Sequence, residues 1–541
     1  MSCTRRQFIT RVGALAAVSG MVGRVVANTL NINGVRYGMV HDESLCIGCT
    51  ACMDACREVN NVPEGVSRLT IIRSEPQGTF PDVKYRFFRH SCQHCDHAPC
   101  VDVCPTGASF RDAASGIVDV NPDLCVGCQY CIAACPYRVR FIHPVSKTAD
   151  KCDFCRKTNL KAGKQPACVE SCPTKALTFG NLDDPNSDIS RLLRQKTTYR
   201  YKLALGTKPK VYRVPFNYGG GEPMTSASAF HFASLVWDWP IAIYLFLIGI
   251  SAGLVTLAIL LRRFHPEAGG SDSTLLRTTL VLGPGAIILG LLILVFHLTR
   301  PWTFWKLMFH YSFTSVMSMG VMLFQLYMVV LILWLAKIFE KEVIALQQRW
   351  LPRLEIVQKV LALITPFHRA LETLMLVLAV LLGAYTGFLL SALKSYPFLN
   401  NPILPALFLF SGISSGAAVA LIAMALRHRS NPHSTEARFV HRMETPVVWL
   451  EIFLLAAFFI GLALGDDGKM RALAAALGGG FWSWWFWLGV VGLGLIIPLL
   501  LKPWANRSVT FHGVLAVCGA SLTGVLLLRF FILYAGQLTV A

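Results

Sequence analysis

Sixteen of the eighteen cysteines in this chain lie between Cys46 and Cys172, in four runs of fixed spacing. They read Cys46-x2-Cys49-x2-Cys52-x3-Cys56, Cys92-x2-Cys95-x4-Cys100-x3-Cys104, Cys125-x2-Cys128-x2-Cys131-x3-Cys135 and Cys152-x2-Cys155-x12-Cys168-x3-Cys172. A cubane iron–sulfur cluster needs four thiolates around it, and a C-x2-C-x2-C turn delivers three from one loop. In two-cluster ferredoxins the fourth cysteine of a run, followed by Pro, crosses to the other cluster. Pro105, Pro136 and Pro173 occupy that place, whereas the first run has Arg57 there. The fourth run taken alone also fits a structural zinc site. Disulfides are the third possibility, and they depend on the compartment.

The N-terminus bears on the compartment. Thr4-Arg5-Arg6-Gln7-Phe8-Ile9 is a twin-arginine pattern followed by a Gly- and Ala-rich apolar stretch to Ala27. Such signals export proteins already folded, so clusters built in the cytoplasm would survive the passage. An N-terminal membrane anchor is the alternative, since Val25-Val26-Ala27 is a poor cleavage site.

Composition changes near residue 223. The first part has 29 Lys and Arg against 19 Asp and Glu, the second 21 against 12 among long apolar runs. A net charge of +19 invites a nucleic-acid reading. Each four-thiolate cubane carries roughly −2, so four of them, with the signal arginines removed, bring the first part near neutral and argue against nucleic acid. Leu69–Ile72 and Tyr85–Phe88 look like strands, and the polar stretch from Asp183 to Arg213 looks like a tail. The expected domains are a signal at 1–27, an α+β ferredoxin-like domain with four 4Fe–4S clusters at 28–215, a linker at 216–236 and a membrane domain at 237–541.

From Pro240 onward eight apolar stretches are long enough to cross a bilayer: Pro240 to Leu261, Thr278 to Leu298, Val316 to Ile338, Leu371 to Leu393, Pro405 to Leu426, Pro446 to Leu464, Phe481 to Leu501 and Phe511 to Tyr534. The fold class is therefore all-α in this half, an eight-helix bundle. One set of loops, from Arg262 to Arg507, holds fifteen Lys and Arg; the other holds Arg300, Lys306, Lys394, Lys469 and Arg471. The basic side belongs in the cytoplasm, which puts the start of the first span outside, on the face to which the signal sends the ferredoxin domain. Gly249-Ile-Ser-Ala-Gly253 and Gly412-Ile-Ser-Ser-Gly416 form a faint repeat that divides the bundle into two four-helix halves.

His297 and His512 stand at opposite ends of their spans and no C-x-x-C-H motif occurs, so no haem is expected. A quinol loses two protons with its two electrons and needs hydrogen-bond partners near water. Asp238, His297, Arg300 and Tyr385 share the outer side and are the candidate quinol residues; Trp239 and Tyr311 accompany them. Taken singly, such residues also serve as interfacial anchors. Glu372, Glu444, Glu451 and Arg529 are costly in a membrane unless paired or wet, which suggests a Glu451–Arg529 ion pair or a proton path.

These motifs resemble the electron-transfer subunits of the Nrf-type formate-dependent nitrite reductase system: a four-cluster ferredoxin subunit over residues 1–223 and an NrfD-type, polysulfide-reductase-like membrane subunit over 224–541. Those are separate proteins in the family, so a single chain departs from its pattern. The resemblance implies an inner-membrane protein with its ferredoxin domain on the periplasmic face. It would oxidise menaquinol, with Tyr385 contacting the quinone, and pass electrons to a periplasmic multihaem cytochrome c for anaerobic nitrite respiration to ammonium. It also implies four ligand sets: Cys46, Cys49, Cys52 with Cys172; Cys56 with Cys152, Cys155, Cys168; Cys92, Cys95, Cys100 with Cys135; and Cys104 with Cys125, Cys128, Cys131. Other readings are the relay and anchor of a molybdenum polysulfide or sulfoxide reductase, and an ion transporter regulated by its ferredoxin domain.

Overall fold

In a computed structural model of the chain, residues 35–76, 79, 81–216, 232, 234–350, 356–427, 434–501 and 511–540 are described. The twin-arginine segment, Cys3 and the Tyr218–Met224 junction lie outside them. Compactness divides the chain into two units. One comprises Met1–Ala98, Phe110–Asp119 and Lys151–Glu222, the other Pro99–Ser109, Val120–Asp150 and Pro223–Ala541. The segments bearing Cys100, Cys104, Cys125, Cys128, Cys131 and Cys135 thus belong with the apolar helices.

The first unit has little apolar core. Strand β1 (Tyr37–Asp42) is followed by β2 (Leu69–Arg73), β3 (Phe87–Ser91), β4 (Leu177–Asn181) and β5 (Val211–Val214). β1 is central, antiparallel to β4 and parallel to β5, while β2 and β3 form a separate antiparallel pair. Val40, Ile189 and Val214 make a small buried cluster under Leu182, Leu192 and Leu193. The stretch after Asp183 is therefore not a tail. Ser187 caps a helix, Asp188–Gln195, by accepting from the Ser190 N–H, and Val211-Tyr-Arg-Val214 closes the sheet. Its charges hid an Ile-Leu-Leu face and a strand that only a distant partner stabilises.

Among the described residues the second unit contains eight helices of spanning length. They are α1 (Trp239–Phe264), α2 (Thr274–His297), α3 (Val316–Ile338), α4 (His368–Ser391), α5 (Leu404–Arg427), α6 (Thr435–Ala463), α7 (Phe481–Leu501) and α8 (Phe511–Ala535). Every expected span coincides with one of them. Helices α1 and α5 are the innermost, with 78% and 72% of their apolar windows buried against 11% for α7. The repeated motifs explain this: a Cβ on Gly253 would lie 2.2 Å from the Gly412 carbonyl oxygen, and one on Gly416 2.6 Å from the Gly253 backbone. Small residues let the two backbones touch, which is how helices gain van der Waals contact in lipid. The chain is a multi-pass membrane protein.

Candidate functional site

Each cysteine run turns on the same local device. The residue before the second cysteine is left-handed in all four: Gly48 (φ 75°), His94 (φ 45°), Gly127 (φ 71°) and Phe154 (φ 56°). Successive N–H groups in such a turn converge on one point and favour an anion there. Glycine supplies this conformation at two places without steric cost. At the other two, the His94 and Phe154 rings stack on each other at 3.6 Å, which holds the strained pair in place.

In the first unit, Cys46, Cys49, Cys52 and Cys172 line one cavity with His41, Ile71 and Leu177. Cys56 shares its surroundings with Cys152, Cys155 and Cys168. In the second unit, Cys104, Cys125, Cys128 and Cys131 line another cavity beside Ser109 and Arg140. Cys92 and Cys95 in the first unit are buried as well, as are Cys100 and Cys135 in the second. Burial, above all, pushes the bare Cys52 thiol up to about 11 and those of Cys168 and Cys131 up to about 12. Thiols crowded this way ionise when a cationic cluster replaces their protons. The fourth run is divided between two groups of cysteines: Cys172 lies with Cys46, Cys49 and Cys52, and Cys152, Cys155 and Cys168 lie near Cys56. Backbone N–H groups aim at the sulfurs too, Ser109 at Cys104 (3.3 Å), Ala149 at Cys125 (3.5 Å) and Ala176 at Cys172 (3.3 Å).

One end of the helix bundle grips the third cysteine run. Arg300 donates to the carbonyls of Pro122 (3.0 Å) and Cys125 (3.1 Å), Thr299 to that of Lys147 (2.7 Å), and Ser315 to that of Val103 (2.7 Å). From the loop side, the Tyr130 hydroxyl donates to the Leu389 carbonyl (3.0 Å), and its ring lies 5.1 Å from that of Trp237. Beneath this grip is a cavity lined by Tyr385, Tyr244, His297, Trp237, Phe324 and Cys128. A mostly apolar wall with a few polar groups is the usual lining of a small-molecule site.

Three of the four candidate quinol residues come together here. Tyr385 and His297 line the cavity, and the His297 Nδ1 lies 3.5 Å from the Asp238 carboxylate. Among the described residues, the Asp238 Oδ1 and the His297 Nε2 have no hydrogen-bond partner. Arg300 does not line the cavity; it holds the cysteine loop instead. Sequence reasoning missed Tyr244, whose hydroxyl pairs with that of Tyr385, and Trp237. Tyr244 lies six residues after Asp238, between one and two turns deeper, and that offset was the available signal.

Elsewhere, Arg262 pairs with Glu372 at 2.7 Å. Glu444 and Glu451 line a separate cavity with Ser414 and Ser521. Arg529, completely buried, makes no direct ion pair with Glu451. It donates to the Phe408 carbonyl (3.1 Å) and Ser411 Oγ (2.7 Å), with its guanidinium 3.7 Å from the Phe408 ring centre.

Cysteine loops for several iron–sulfur centres, joined to an eight-helix anchor, define an electron-transfer component of a membrane oxidoreductase. The model of the family "Polysulphide reductase, NrfD" matches residues 227–541, and two models of 4Fe–4S dicluster domains match 45–108 and 83–182. The chain is 86% identical to the protein NrfD of Escherichia coli K12 over 318 residues, 59% of this chain and all of that one. It is 90% identical to the protein NrfC of the same strain over 219 residues, 40% of this chain and 98% of that one. An NrfD homologue of Haemophilus influenzae is 49% identical over 314 residues, 58% of this chain and 98% of that one. The chain belongs to the NrfD polysulfide-reductase family, with an NrfC-type dicluster ferredoxin joined ahead of the NrfD part.

Proposed function

We propose that the chain oxidises menaquinol and relays the electrons through four 4Fe–4S clusters to a periplasmic multihaem cytochrome c of a nitrite-reducing system. One observation carries this reading: a single cavity is lined by Tyr385, His297 and Cys128. A quinol in it would lie against a cluster ligand, with hydrogen-bonding groups on its oxygens. Tyr385, paired with Tyr244, orients one oxygen. His297 accepts the proton of the other, and Asp238, 3.5 Å away and 41% exposed, stabilises the imidazolium and leads the proton to water. Quinol thus becomes quinone with loss of two protons, taken in turn by His297 and passed by Asp238 to water, and of two electrons, which the clusters, when bound, would carry singly.

The ligand sets are proposed as Cys46, Cys49, Cys52, Cys172; Cys56, Cys152, Cys155, Cys168; Cys92, Cys95, Cys100, Cys135; and Cys104, Cys125, Cys128, Cys131. The location proposed is the inner membrane, with the ferredoxin part on the periplasmic face, supported by the loop charges. The polysulfide-reductase description of the matching family supports a second reading, in which the same relay serves a molybdenum reductase. The cavity at Glu444 and Glu451 is the feature an ion transporter would use.

The deciding experiment adds a reduced menaquinone analogue anaerobically to the purified protein and follows the clusters by EPR. Reduction slowed at least tenfold in Tyr385→Phe or His297→Gln supports the quinol site. Clusters that respond only to dithionite overturn it. Loss of function in Glu451→Gln with Tyr385→Phe unaffected favours the transporter.

A further inference from the structure

Arg89, on β3, is 1% exposed. Among the described residues no carboxylate forms an ion pair with it, and its Nε and Nη1 have no hydrogen-bond partner. A buried guanidinium without a counter-charge is among the most unfavourable groups a fold can contain. What faces it is sulfur: Nη2 points at Cys152 Sγ (3.7 Å) and Cys168 Sγ (4.0 Å). The same charge reaches Cys56 and, in the neighbouring set, Cys52.

The opposite side of this thiol set is met by Asn60. Its Nδ2 lies 3.4 Å from Cys155 Sγ and 3.8 Å from Cys56 Sγ. Cys56, Cys152, Cys155 and Cys168 thus each face a side-chain N–H, two from a cation and two from an amide. The set formed by Cys46, Cys49, Cys52 and Cys172 is served differently, by the backbone N–H groups of Gly48 and Ala176.

We propose that Arg89, assisted by Asn60, raises the reduction potential of the cluster bound by Cys56, Cys152, Cys155 and Cys168 above that of the cluster bound by Cys46, Cys49, Cys52 and Cys172. This rests on the cluster reading above. Accepting one electron makes the thiolate-bound group more negative by one charge. A fixed cation within 4 Å, shielded from water, stabilises that added charge more than water would. Hydrogen bonds to the sulfurs act in the same direction. Arg89 exchanges no electron itself; it decides where one rests. A quinol releases two electrons and the clusters accept them singly, so a favourable resting place keeps the first from returning before the second leaves.

The test is an EPR-monitored redox titration of the full chain in detergent, with iron and labile sulfide counted, for wild type, Arg89→Gln, Arg89→Lys and Asn60→Leu. Arg89→Gln is expected to keep its iron while one cluster signal titrates at lower potential. Arg89→Lys should move that signal less, and Asn60→Leu should move the same signal in the same direction. Full iron with unmoved midpoints in Arg89→Gln overturns the proposal. If Arg89→Gln loses one cluster, its retention in Arg89→Lys supports the charge as the cause, and its loss in both overturns it. A wild type without cluster iron would sink the cluster reading itself, visibly and before any variant is compared.

Discussion

Gly320 is where a missing side chain matters most at the residue scale. A Cβ there would lie 2.0 Å from the Tyr385 ring, so only glycine on α3 leaves room for the tyrosine on α4. Gly320→Ala is expected to displace Tyr385 and slow quinol-driven cluster reduction by an order of magnitude or more, while dithionite reduction and iron content stay normal. Stopped-flow reduction kinetics check it.

Asp42 supplies a pH-dependent contribution. Burial pushes its carboxyl up, but Lys196, at 2.5 Å, and Ser44 outweigh that and hold it below the usual carboxylate range. A carboxyl depressed in the folded state stabilises the fold above its ordinary pKa, and that contribution fades as pH falls through the folded value. Lys196 is 43% exposed, so solvent screening limits the loss in Lys196→Met to about 1 kcal/mol. The variant should melt lower at pH 7, with the gap to wild type closing below pH 4, as read by far-UV circular dichroism.

At the scale of elements, the crossing of α1 and α5 is the tightest constraint in the bundle. Gly416→Leu would force the Gly253 backbone away, whereas Gly285 on α2 has nothing within 4 Å of its missing Cβ. Overpacking of this kind costs about 1–3 kcal/mol or more. Gly416→Leu should therefore lower the melting temperature in detergent clearly, and Gly285→Ala should leave it unchanged within error. The Trp485–Ile496 stretch of α7 is wound as a π-helix, a form usually confined to single turns at functional places. It lies against the Glu444–Glu451 cavity through Val490 and Gly494.

For the whole molecule, the first unit depends on what its thiols bind. Its apolar cluster is small, while ten cysteines, most of them buried, occupy the place of a core. Iron removal by chelator and oxidant is expected to melt the strands of this unit while the helical signal of the membrane part persists. Circular dichroism before and after chelation distinguishes the two. The eight spans among the described residues would return the chain to the side on which α1 starts. Alkaline phosphatase fused after Ala541 should therefore be active in the periplasm, and activity only in a fusion after Arg427 would reverse the orientation.

The sequence by itself determined the classes of element: cysteine spacing specified cluster loops, and hydropathy specified eight spans, because both are local properties of chemistry and length. The glycine motifs on α1 and α5 were visible as a faint repeat, though not as the point where the two helices touch. Tertiary structure alone decided what lies beside what. It joined residues 120–150 to the helices and turned Arg300 away from the cavity at Tyr385 and His297 to the cysteine loop. It drew β5 out of an apparently polar tail and set Arg89 against the sulfurs of Cys152 and Cys168. Each of these depends on partners dozens to hundreds of residues away. Periodicity and spacing carry no information about such neighbours, since the free energy that selects them comes from burial and charge compensation in the folded chain.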